Sequence, residues 1–170
     1  MKKEKKQSFT NRFEIKALIA VYVIALIISG ATAMIVPEGI AWLNEVVPLS
    51  WHTIHGWIHH VHLQIKASPQ FLLYGYDWLA FAHYVIALSF YGVWVDPVKN
   101  IWVIEWAMLV SLLIFPLAFT MGAIRGIPFW WQLIDCSFGV VSMIPLIMIH
   151  RRIVLLEQEE QEEARILKFF

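Results

Sequence analysis

Ala17 to Val36 is a run of 20 residues without one charged side chain. An α-helix rises about 1.5 Å per residue, so a run of this length covers the roughly 30 Å of hydrocarbon in a bilayer. No other feature constrains the chain as strongly. A bilayer core offers no water to unpaired backbone groups and forces each crossing segment into helix. Further apolar runs occupy Trp78–Val95, Ile101–Ile124 and Ile127–Ile149, with His83, Glu105 and Asp135 as their readily ionised groups. Pro116 and Pro145 fall inside the last two runs, where each removes a backbone donor and should bend its helix. The expected fold is an all-α integral membrane bundle of four transmembrane helices, at about 17–36, 78–95, 101–124 and 127–149.

Composition agrees. Hydrophobic residues make up 59% of the chain and charged ones 15%, against about 45–50% and 25% in soluble domains. That balance argues against a disordered chain, a nucleic-acid binder and a water-soluble enzyme, and makes the lipid bilayer the first partner. The single Cys136 excludes an intrachain disulfide framework or thiolate metal cluster.

Charge then orients the spans. Residues 2–16 form a basic arm with six Lys or Arg against Glu4 and Glu14, and the tail 151–170 adds four more basic residues. With Lys99, 11 of 13 basic residues lie on the side of the termini, leaving Lys66 and Arg125 opposite. The positive-inside rule puts that side in the cytoplasm. An inner membrane, with N- and C-termini cytoplasmic, is expected. Ala31-Thr32-Ala33 also fits a signal-peptide cleavage site, but the apolar run continues through Met34-Ile35-Val36, which favours an uncleaved span.

The outer loop, 37–76, is the unusual region. Ser50 can cap a helix over 51–66, on which Trp51, Ile54, Ile58, Val61 and Ile65 make an apolar stripe. His52, His55, His59 and His62, spaced 3, 4 and 3, form a second stripe beside it. An amphipathic helix at the outer interface follows. Imidazoles at such spacing can share a transition metal or respond to pH. They can equally sit at headgroup depth with no further role, and this last reading asks least of the residues. No HExxH protease pattern results, because Gly56 stands where the Glu would be.

Ionisable groups at membrane depth are functional suspects. Asp77, His83, Arg125 and Asp135 fall at similar outer depths and can form one polar cluster, with Asp135–Arg125 and Asp135–His83 the first pairs to expect. Such a cluster can pin helices together, relay protons or admit a polar solute, or ligate metal or haem with His83 as one axial ligand. On the inner side, Glu105 is expected to pair with Lys99 or to snorkel, close to Arg151 and Arg152. The tail from Glu157 to Glu163 is acidic and helix-favouring, suited to docking a second copy or a membrane partner, and ends in an apolar tip, Ile166 to Phe170.

The stretches Asp77-Trp-Leu-Ala-Phe-Ala-His83, Asp96-Pro-Val-Lys-Asn-Ile-Trp-Val-Ile-Glu105 and Arg125-Gly-Ile-Pro-Phe-Trp-Trp-Gln-Leu-Ile-Asp-Cys136 resemble those of a family of uncharacterised bacterial four-span membrane proteins. The resemblance covers spans two to four and implies a bacterial membrane but no activity. The function expected is a non-enzymatic structural or accessory component of a membrane assembly. The alternatives are proton-linked or small-solute transport through the outer cluster, and a metal- or haem-dependent redox protein using the outer histidines.

Overall fold

In the computed structural model, residues 2–167 are described, with their side chains from Asn11 onward. The described chain is helical throughout: α1 Lys2–Met34, α2 Val36–Val46, α3 His52–Ala67, α4 Gln70–Val95, α5 Ile101–Arg125 and α6 Phe129–Leu167. Four of these are long and apolar enough to cross a membrane, namely Asn11–Met34 of α1 together with α4, α5 and α6. Their most apolar windows are only 17–22% buried within the protein. In water such exposure would invite aggregation, whereas lipid tails are the solvent these faces match.

The basic arm expected as a separate segment continues helically into the first span. Residues 2–16 contain no Gly or Pro to stop it and are rich in Lys, Glu and Arg, which favour helix. The tail likewise continues the fourth span. At about 1.5 Å per residue, the 39 residues of α6 extend about 58 Å. Nearly half of that length therefore emerges from a hydrocarbon core of about 30 Å. Of the apolar tip, Lys168, Phe169 and Phe170 lie outside the described residues.

The segment between the first two spans holds two helices rather than one. Beyond the expected helix, residues 36–46 form α2, started by Pro37 in its first turn and packed against α3. Ser50 does not cap α3; Trp51 occupies the cap position without a side-chain hydrogen bond.

The chain divides into two compact units, residues 24–88 and residues 1–23 with 89–170. The second unit joins the start of α1, the end of α4, α5 and α6. Its core is a seam along α6, where Leu146, Ile149, Ile153 and Leu156 are all fully buried at spacings of 3, 4 and 3. This is the pattern of a helix that packs along one side. Ile15, Ile19 and Tyr22 form the buried face of α1, and Tyr22 meets Phe90 with ring centroids 4.9 Å apart.

The α5–α6 hairpin closes through small residues. Gly126 has φ +67°, and the amides of Gly126 and Ile127 return to the carbonyls of Ala123 and Gly122 at 3.3 and 2.9 Å. This is a Schellman end, followed at once by Pro128 and the start of α6. Farther along, a Cβ built on Gly139 would lie 2.7 Å from the Ser111 carbonyl. That close approach lets Ser111 and Ser142 hydrogen-bond across the hairpin at 2.7 Å. Small residues allowing backbones this near, with hydroxyls bridging them, are how helices associate in lipid.

In the unit of residues 24–88, Gly30 has the same role between α1 and α4. A Cβ there would lie 2.8 Å from the Tyr84 ring and 3.0 Å from the His83 Cβ.

Candidate functional site

Three groups of polar residues are built into this fold. The best partnered lies where α1 and α6 run antiparallel beyond the apolar seam. Asn11 is 5% exposed and occupies the seam position that follows Ile15 toward the terminus. Its Nδ2 donates to Glu159 Oε1 at 3.0 Å, and its Oδ1 accepts from Arg152 Nη1 at 3.5 Å. Arg152 also pairs with Glu14 at 2.8 Å, and Arg12 pairs with Glu160. Nearby, Lys16 lies over the Trp94 ring, 5.4 Å from its centroid. Sequence reasoning missed this clasp because the arm and the tail were taken as separate segments. The signal was present: extending the α1 stripe from Tyr22 through Ile19 and Ile15 arrives at Asn11.

The α4–α5 turn completes this polar end. Asn100 Nδ2 donates to the carbonyls of Gly92 and Asp96 at 3.0 and 2.9 Å. Gly92 admits it, since a Cβ would stand 3.1 Å from Asn100 Oδ1. Asp96 accepts from the Lys99 amide at 3.2 Å and pairs with Lys99 Nζ at 3.1 Å. These contacts, the backbone hydrogen bond first, hold its carboxyl below the ordinary carboxylate range. The expected Glu105–Lys99 pair does not form. Lys99 is taken by Asp96, three residues back in its own turn, and Glu105 faces His150 of α6 at 3.4 Å.

The second group is the expected outer cluster, whose members fall in both units: Asp77 and His83 in residues 24–88, Arg125 and Asp135 in the other. Within the first, Asp77 is exposed and lines an open surface pocket with Tyr74, Trp78 and Phe81. His83 Nδ1 donates to the Leu79 carbonyl, one turn back on α4, at 2.8 Å, since a carbonyl only accepts. Within the second, Arg125 is exposed at the end of α5 and makes no ion pair with Asp135 among the described residues. Asp135 is half-buried, six residues or about 9 Å along α6 from Phe129. Its carboxylate has no hydrogen-bond or ion-pair partner among the described residues.

The third group is the histidine row of α3. His55 and His59 stand one turn apart with near-parallel rings, centroids 6.2 Å apart at 10°. His59 Nδ1 donates to Asn44 Oδ1 of α2 at 3.0 Å. His60 is engaged by Gln64 at 3.0 Å and lies against the Trp57 ring. His52 is exposed and His62 half-buried. The full row of His52, His55, His59 and His62 does not converge: among the described residues, no three His, Cys, Asp or Glu side chains gather as a metal-holding group. Rings on successive turns of a straight helix fan out along its axis, so they close in pairs rather than as a set.

No family model matches the chain, and no curated protein or solved structure is significantly similar to it.

Proposed function

We propose that this chain is a structural or accessory subunit of a bacterial inner-membrane assembly, with both termini cytoplasmic and no chemistry of its own. One observation carries the proposal. Asp135 sits inside a membrane-spanning helix without a partner among the described residues. An ionisable group at that depth costs a few kcal/mol or more unless it is paired. A neighbouring subunit that donates a hydrogen bond or a positive charge at the same depth meets this need. Asn11, Arg12, Glu14, Arg152, Glu159 and Glu160 are engaged with one another in the clasp, which supports a role in holding shape.

A second reading draws on the same residue. Asp135 by itself suits a proton-linked or small-solute path, since an unpaired carboxylate at membrane depth is also what a proton carrier needs. Reconstitution into liposomes separates the two. The subunit proposal expects proton leakage no greater than in empty vesicles, for the native chain and for Asp135→Asn alike. A flux that the native chain supports and Asp135→Asn abolishes, with the fold retained, overturns it in favour of transport.

A further inference from the structure

We infer that the outer-loop hairpin α2–α3 carries a two-histidine site for a divalent late transition metal, formed by His55 and His59 and oriented by Asn44. The inference is independent of the subunit proposal and rests on the unit of residues 24–88 alone.

The geometry supplies three conditions. First, the two imidazoles are presented together: a spacing of four places them one helical turn apart on one face, with ring centroids 6.2 Å apart. Metal–nitrogen bonds of about 2.0–2.1 Å need the two ligating atoms to close to about 3 Å. The stacked rings must turn out of parallel for both lone pairs to meet one ion, and the His55 ring makes no hydrogen bond that would resist that rotation. Second, the ligating nitrogen is set. The Asn44 oxygen can only accept, so His59 Nδ1 donates to it and Nε2 is the ring nitrogen left for a metal. A hydrogen bond to the distal ring nitrogen is the support that metal-ligating histidines almost always have. Third, the neighbours leave the pair alone. His60 is occupied by Gln64, and Gly56 has open space where a side chain would stand. Water completes the coordination, which suits Cu2+, Ni2+ or Zn2+, with Cu2+ bound most tightly.

Copper titration of the full-length protein in detergent tests this, with binding followed by calorimetry and by the nitrogen hyperfine pattern in electron paramagnetic resonance. The native chain should take up Cu2+ with a two-imidazole signature. His55→Ala and His59→Ala should each weaken binding at least tenfold and leave a one-imidazole signal. Asn44→Ala should weaken it by about tenfold, while Asn44→Asp, which keeps an acceptor, should restore it. His52→Ala and His60→Ala should bind as the native chain does, which separates the pair from a diffuse histidine surface. Helix content by circular dichroism shows that each variant is folded. Unchanged affinity in His59→Ala, or equal losses in Asn44→Ala and Asn44→Asp, overturns the assignment.

Discussion

Gly139 and Gly56 are both helical glycines, and the fold treats them oppositely. A methyl group on Gly139 meets a backbone carbonyl at 2.7 Å, which cannot rotate away, whereas one on Gly56 meets nothing within 4 Å. Gly139→Ala should therefore cost about 1–3 kcal/mol through overpacking. Gly56→Ala should gain up to about 1 kcal/mol, the ordinary benefit of replacing glycine within a helix. Unfolding in mixed micelles, followed by far-ultraviolet circular dichroism, would check the opposite signs. Asp96 makes a prediction of a different kind. Its folded carboxyl is held below the ordinary range by the Lys99 contacts. The stability it contributes is therefore complete above about pH 4 and is lost as pH falls through the lower folded value. Thermal melts from neutral to acidic pH should show the native chain losing more stability across that acidic window than Asp96→Asn does.

At the scale of elements, the membrane spans and the helical tail that continues the fourth were legible, and the helical arm and its pairing with the tail were not. Apolar runs of bilayer length announce helices at 17–36, 78–95, 101–124 and 127–149 because lipid leaves no other backbone solution. The turns Asp96–Asn100 and Gly126–Pro128 are built from Asn, Gly and Pro, residues that turns demand. What hydropathy could not reveal is that α1 and α6 extend past the bilayer as a pair, because a charged segment reads equally as a solvated arm. The pairing shows instead in periodicity: Asn11, Ile15, Ile19 and Tyr22 share the buried face of α1, as Leu146, Ile149, Ile153 and Leu156 do on α6. A polar residue at a seam position is a known means of fixing register. The candidate sites divide in the same way. The members of the histidine row could be named from spacing alone, but Asn44 is distant in sequence and reaches His59 only through the α2–α3 packing. Leu156 tests the seam, since it follows Arg151 and Arg152 and so lies where water supplies a hydrophobic driving force. Leu156→Ala should cost about 2–5 kcal/mol, against no more than about 0.5 kcal/mol for Leu155→Ala, whose side chain is 47% exposed. Equal effects in chemical denaturation would show that the seam does not form.

For the whole molecule, orientation and assembly are the questions that matter. The orientation proposed above puts residues 2–16, Lys99 and the tail in the cytoplasm, and Lys66 and Arg125 on the outer side. Cys136 is buried, so a cysteine introduced elsewhere can be read with little background. A membrane-impermeant maleimide applied to intact inner-membrane spheroplasts should label Lys66→Cys and leave Lys99→Cys unlabelled until the membrane is opened. The reverse pattern inverts the topology. The subunit proposal itself is decided by native mass spectrometry of the full chain ejected directly from its own membrane vesicles, with lipids retained. The chain should emerge bound to at least one other membrane polypeptide, and Asp135→Leu should reduce that species relative to the free chain. A chain that leaves the membrane only as a monomer, with Asp135 intact, has no assembly to belong to.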